Sequence, residues 1–354
     1  MKVKVIKEQI QTPFQRGLLA HQGFQALQKI TPVPMYLMLR WNHWIQHILL
    51  SNSLQHQDPI LLIGAPRTGT TFLHRFLHEQ EIGRGPQLWE IIFPARFSHW
   101  MIRPWLPFLQ KISPTRHHPS HIHKTSLTAI EVEEAGLLFH FCDGFLLYAF
   151  ILAHADDDLQ WVMDPKYGSR TKEQIQWLRR VWSQYPQKPI SKIFSWATDI
   201  PIIREELPNA KMIYTYRDPL ESIPSTLSLL QAVLDQKFEF QKCSQEFQHR
   251  YYRRIVIGLI DLYRRFWIEY QNNPNGIYIV NQHLLRRDFA PNMYKLLEWL
   301  DIPVSNTCKE QIELQHHKNQ SFVSQHQYQI QNFGMSSDEL IELVASIPID
   351  QSKI

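Results

Sequence analysis

The sequence predicts an α/β protein, with a P-loop-like, mostly parallel sheet flanked by helices. Three observations carry this. A short apolar run, Ile60 to Ile63, ends on Gly64 and is followed by a second glycine, Gly69, and a helical stretch. Another, Lys211 to Tyr216, turns at Arg217-Asp218 and passes straight into a helix. Helical stretches separate these strands from each other and from a third, "GIYIV", and strands alternating with helices are the mark of a parallel sheet.

The elements follow in order. Residues 1–57 read as helices with polar breaks, since "MYLMLRWNHWIQHILL" is apolar at mixed helical spacing. Strand 60–63, the glycine loop and a helix from about Thr70 to His78 come next. After Gly83-Arg84-Gly85-Pro86, "QLWEIIFPARFSHW" forms a short element ending near Pro94, and residues 103–123 are a Pro/His-rich loop. Residues 129–153 read as helix, its start favoured by Glu131, Glu133 and Glu134 at the positive end of the dipole. A further helix covers 171–184. Beyond strand 211–216, Pro219 takes the first helical position, and Pro224 is expected to break that helix because it lacks an N–H. A long helix covers 245–272, strand 276–280 follows Asn275-Gly276, and Ser336 and Glu339 have capping-box spacing at the head of a last helix. The expected organisation is a helical extension (1–57), an α/β nucleotide-binding core (58–305) and a C-terminal segment packed on it (306–354).

Composition narrows the function. With 354 residues, 44% of them hydrophobic, the chain can bury a large core. The net charge of +4 carries no lysine-arginine block, which argues against nucleic acid as a partner. Cys142, Cys243 and Cys308 are scattered and odd in number, which fits a reducing, cytoplasmic location and no cysteine zinc site. The N-terminus lacks the apolar segment of a secretory signal. Residues 136–153 reach the lower edge of membrane-spanning length. His140, Asp143 and Gly144 interrupt them, so they read as buried helix and not as a transmembrane segment. Peripheral membrane contact stays open.

The glycine loop carries the chemistry. A nucleotide triphosphatase reads G-x-x-x-x-G-K-[ST] here; this chain has Thr70 in place of the lysine and Arg67 inside the loop. Strand, glycine loop and helix start gather backbone N–H groups around an anion. Arg67, Thr68, Gly69, Thr70 and Thr71 are the candidate ligands, the arginine through its planar fork. The missing lysine argues against ATP chemistry, leaving a kinase as a weaker alternative. Arg217, closing a strand, and Ser225, eight residues on, can clamp another phosphate. Two such sites suit a nucleotide phosphorylated at both ends of its ribose.

At this point "PILLIGAPRTGTTFLHRFL" with "LPNAKMIYTYRDPLESIPSTLSLL" resembles the sulfotransferase family that uses 3′-phosphoadenosine 5′-phosphosulfate (PAPS), and within it the bacterial-type branch whose loop reads P-R-[ST]-G-T-T. "RGPQLWEIIFP", "SLTAIEVEEAGLLF" and "HQYQIQNFGMSSDEL" extend the likeness from about Pro59 to Leu343. The resemblance implies a sulfotransferase fold, PAPS as co-substrate and no metal. It places Arg67 to Thr71 on the 5′-phosphosulfate and Arg217 and Ser225 on the 3′-phosphate. Phe72 falls either against the adenine or in the core. Relatives acting on small molecules take the acceptor's proton with a histidine two residues after a lysine; here Lys192 fits the lysine, but the histidine position is Phe194, which accepts no proton. Other branches use a glutamate downstream of the loop. Glu90, beside Trp89 and Ile91, stands there as the candidate base, its pKa expected to rise by desolvation, against the alternative of a salt bridge or helix-end carboxylate. Lys192 is assigned to the leaving oxygen. The implied acceptor is a hydroxyl, or an amine, on an apolar or lipid-like molecule, and a non-catalytic nucleotide-binding protein on the same fold is the alternative. "RHHPSHIH" (His117, His118, His121, His123) reads as a lid in preference to a zinc site, and His74 as a packing residue.

Overall fold

The computed structural model describes residues 32–50, 58–113, 126–130, 133–160, 164, 170–320 and 328–354. The histidine-rich segment at 117–123 and most of the expected extension lie outside them. Among the described residues the sheet has four strands, all parallel: β1 (Ile60–Ile63), β2 (Ile190–Lys192), β3 (Lys211–Tyr216) and β4 (Ile277–Asn281), in the order β2-β1-β3-β4. Ile60 pairs with Ile190 on one side and Lys211 on the other, and Met212 pairs with Ile277. Because side chains alternate across a strand, Leu61, Ile63, Met212 and Tyr214 enter one core while Ile60, Leu62, Ile190 and Ile213 enter a second on the opposite face. Burial on both faces explains why β1 is continuously apolar.

The helices used below are α1 (Pro32–Leu49), α2 (Thr70–Glu79), α3 (Leu88–Ile92), α4 (Arg96–Ile102), α5 (Leu106–Ile112), α6 (Glu133–Gly136), α7 (Phe145–Phe150), α8 (Pro219–Phe238) and α9 (Gln245–Asn272). α9 fills the first core with Phe266 and Trp267, and α2 sends Leu73, Phe76 and Leu77 into the second.

Three expectations are corrected. The loop expected over 103–123 is helical at 103–112, a 3₁₀ turn running into α5. The helix expected over 129–153 is divided: α6 runs into a π-helical turn, Leu137–Phe141, the backbone turns left-handed at Cys142 (φ 47°), and α7 begins after Gly144 (φ 87°). Asp143 faces Gln174 at 2.9 Å, and the backbone N–H of Phe145 donates to Glu134 at 2.8 Å, so side chains satisfy the groups that the break exposes. Pro224, in contrast, does not end α8, which continues to Phe238. Only one turn precedes it, so the helix gives up a single early hydrogen bond. Among the described residues no single helix is long and apolar enough to cross a membrane. The two arms Glu133–Phe141 and Phe145–His154 pass that test only together, and they meet at a bend of 71°.

Candidate active site

β1 and β3 are neighbours, yet the chain leaves β1 toward β2 on one side and β3 toward β4 on the other. The crevice beyond their carboxyl ends is thus a switch point, where open α/β sheets bind ligands. The glycine loop leaves β1 there, and the Arg217 turn leaves β3.

The loop is built by backbone conformation. Gly64 (φ 138°) passes so close to β3 that a Cβ would stand 2.6 Å from the Thr215 carbonyl oxygen. Arg67 is left-handed at φ 67°, and Gly69 (φ 92°) is the N-cap of α2. The first-turn N–H groups of α2, at Thr70 and Thr71, therefore open toward the loop with no intrahelical partner. Thr68 works differently from the expectation. Its buried hydroxyl donates to the Ala65 carbonyl at 2.8 Å and lies 2.7 Å from that of Thr215, tying the loop to β3. It faces the protein, so only its backbone N–H is left for an anion.

The two turns touch. Arg67 Nε donates to Ser225 Oγ at 3.1 Å, and Arg217 Nη1 to the Arg67 carbonyl at 3.4 Å. Residues assigned by resemblance to opposite ends of one nucleotide are in contact. Burial, the largest cause, pulls the Arg67 pKa down; a Tyr328 hydrogen bond opposes this, and the Arg217 charge adds to it. Arg217 also pairs with Glu221 at 3.1 Å, and Glu221 accepts from His283. Tyr263 donates to the Arg217 carbonyl at 3.0 Å, fixing the turn from α9. Phe72 is on the edge of the second core, 37% exposed, with its ring edge-on to Phe289. It is not packed away.

Lys192 reaches the loop from β2. Its Nζ donates to Thr71 Oγ1 at 2.9 Å and stands 5.3 Å from the Phe194 ring. Glu90 is bound elsewhere. Arg84 Nη2 contacts both of its oxygens at 2.7 Å, the Gln87 N–H donates to it at 2.8 Å to complete a capping box, and the Arg84 guanidinium lies over Tyr185. That is the salt-bridge and helix-end alternative in geometry.

Sequence reasoning missed the carboxylate beside Lys192. Glu133 is fully buried on α6; its Oε2 accepts from the Lys192 backbone N–H at 3.1 Å, and its Oε1 has no hydrogen bond. Burial, partly offset by the Lys192 backbone and charge, raises its pKa to about 7. Glu134 is spent on structure: it accepts from the Phe145 and Ser195 N–H groups and the Ser195 hydroxyl. The signal was present as two glutamates opening an apolar run, but it was read as helix-end charge. His74 packs as expected. Fully buried, it lies 3.1 Å from the Ile190 carbonyl and 3.8 Å from Glu133, and burial, then Lys192, lowers its pKa to about 3. Among the described residues no cluster of metal-ligating side chains occurs.

A glycine loop from β1 and an arginine turn from β3 thus meet at the switch point of a four-stranded parallel sheet, as the resemblance to sulfotransferases implies. The sulfotransferase family profile matches residues 59–306, and the chain belongs to that family. Among curated relatives, omega-hydroxy-beta-dihydromenaquinone-9 sulfotransferase Stf3 of Mycobacterium bovis and of Mycobacterium tuberculosis are each 25% identical over 264 residues, 68% of this chain. The match spans 66% of their own length. Two crystal structures share the fold. Sulfotransferase STF9 from Mycobacterium avium has a TM-score of 0.67 at 17% identity, covering 88% of this chain and 80% of its own. STF1 from Mycobacterium tuberculosis H37Rv has a TM-score of 0.64 at 18%, covering 94% and 91%.

Proposed function

We propose that the protein transfers the sulfuryl group of PAPS to a hydroxyl on an apolar or lipid-like acceptor. The observation that carries this is the contact between the two anion turns, Arg67 Nε on Ser225 Oγ at 3.1 Å. Turns this close suit the two ends of one doubly phosphorylated adenosine. In this reading the loop N–H groups and Arg67 hold the 5′ end, Arg217 displaces Glu221 to hold the 3′-phosphate with Ser225, and the open edge of Phe72 takes the adenine. Stf3, whose name specifies a hydroxylated menaquinone, supports a lipid-like hydroxyl acceptor.

In the reaction the acceptor oxygen forms a bond to sulfur as the bond from sulfur to the bridging phosphate oxygen breaks. Negative charge grows on that bridging oxygen, and a fixed cation nearby is the largest available help. Lys192 at Thr71 supplies it. The acceptor's proton needs a base, and Glu133 is favoured over Glu90 because Arg84 and the Gln87 N–H already occupy the Glu90 oxygens. Non-catalytic binding would follow from Phe194 alone, but a buried carboxylate beside Lys192 supplies what Phe194 cannot.

Calorimetry with 3′,5′-bisphosphoadenosine and labelled transfer from PAPS to long-chain alcohols test the proposal. Binding that weakens in Arg67→Ala and Arg217→Ala is expected. No binding at high micromolar nucleotide would end it. For the base, Glu133→Gln should lower transfer by about 10²–10⁴-fold with nucleotide binding kept, and Glu90→Gln should mainly lower thermal stability. Transfer lost in Glu90→Gln at unchanged stability would return the role to Glu90.

A further inference from the structure

Two neighbouring elements leave large aromatic side chains in solvent. On α1, Trp41 and Trp44 project with ring centroids 5.3 Å apart, Trp41 being 63% exposed. On the run formed by α4, a 3₁₀ turn (Arg103–Trp105) and α5, the outward residues are Phe97, Trp100, Trp105 and Phe108, with Trp100 76% exposed. Phe97 and Trp100, and Trp105 and Phe108, are each three residues apart, so each pair shares one side of its own helical segment. The two elements are joined: Asn42 donates to the Ile92 carbonyl at 2.8 Å, and Gln46 accepts from the Ala95 N–H and the Ser98 hydroxyl. In the second half of α1, Asn42 and Gln46 are thus turned inward while Trp41 and Trp44 face out, the reverse of a soluble surface helix.

Charge identifies what this face meets. Neither residues 32–50 nor residues 91–113 contain an aspartate or glutamate, whereas Arg96, Arg103 and Lys111 are exposed. Four of the chain's 11 tryptophans lie here. Tryptophan settles at the level of lipid headgroups, and basic residues beside it are drawn to anionic lipid. On its inner side the run is anchored to the protein: Ile102, Leu106 and Leu109 pack on a cluster of Leu88, Trp89, Leu127 and Ala135.

We propose that the face formed by α1, α4 and α5 is a membrane-surface docking site that seats the protein on anionic bilayers with its tryptophans at headgroup level. This surface does not depend on the donor or acceptor reading. Flotation of the full chain with phosphatidylcholine vesicles, with and without roughly a third phosphatidylglycerol, tests it. The wild-type protein should float with the anionic vesicles, and Trp100→Glu/Trp105→Glu should reduce the bound fraction at least about tenfold. The melting temperature and 3′,5′-bisphosphoadenosine affinity of that variant should stay unchanged, since neither side chain is buried. Failure of the wild-type chain to float with either vesicle, or equal flotation of the double variant, overturns the proposal. A concentration-dependent dimer in light scattering that the same substitutions dissolve, without flotation, would assign the face to a second copy and overturn it too.

Discussion

Lys192 and Thr71, 121 positions apart, meet in a hydrogen bond of 2.9 Å from ammonium to hydroxyl. The loop has threonine where triphosphatases carry lysine, and the adjacent strand returns a lysine to its rim. Strand pairing of Leu62 with Lys192 sets the position, one residue from the end of β1. A cation fixed by the sheet is held in place before reaction, which is the condition for strong electrostatic help.

Replacing that cation should therefore affect the chemical step more than binding. Lys192→Met, close in length and able to stay buried, is expected to lower kcat for sulfate transfer by about 10²–10³-fold while changing bisphosphate affinity little. Steady-state rates beside calorimetry on the same preparation check this. A loss confined to affinity would make Lys192 a binding residue only.

The Arg67–Ser225 contact predicts coupling. Arg67→Ala and Ser225→Ala should each weaken bisphosphate binding, and the double variant should lose less than the two losses combined. The difference should be about 1 kcal/mol, as for residues sharing a hydrogen bond. Strict additivity in the calorimetric cycle would separate the two turns functionally.

Gly64 is a backbone requirement. Alanine there needs φ near 138° and puts Cβ 2.6 Å from the Thr215 carbonyl, so Gly64→Ala should lose about 3 kcal/mol or more in urea unfolding. Gly276 (φ 74°) meets nothing nearer than 3.9 Å, and Gly276→Ala should lose only about 1 kcal/mol, for the left-handed backbone alone. Equal losses would contradict the crowding at Gly64.

What could be read beforehand divides along a physical line. Strands 60–63 and 211–216 and helix 245–272 match the structure to the residue, because the apolar run closed by Gly64, the apolar-rich stretch closed by Arg217 and the amphipathic repeat between Ser244 and Asn273 state their own limits. The break at Cys142 was missed because His140, Asp143 and Gly144, which interrupt the run, read equally well as polar positions within one buried helix. The ion pair of Glu90, one of the two readings the sequence left open, depends on Arg84 and Tyr185, and only tertiary contact brings those three together. The burial of Glu133 was invisible for a similar reason. Two adjacent glutamates look like solvated charge until β2 covers them.

Glu133 also predicts a pH dependence of definite sign. Burial, opposed by Lys192, lifts its carboxyl from an ordinary 4.5 to about 7. Between those values the folded chain holds a proton that the unfolded chain has lost, so stability from this group is fully present below 4.5 and falls as pH rises to 7. The decline is roughly 3 kcal/mol. His74 acts oppositely: held at about 3, it loses stability as pH falls below 6.5. Glu133→Gln removes the first effect alone, so its melting temperature relative to wild type should climb between pH 5 and pH 8. In the wild-type enzyme the same proton should leave an acid limb near 7 in kcat/KM, since a base works only when deprotonated, and Glu133→Gln should lower kcat by about 10²–10⁴-fold. Parallel melting curves across that range, with transfer retained in the variant, would show that Glu133 neither titrates in the folded chain nor accepts the acceptor's proton.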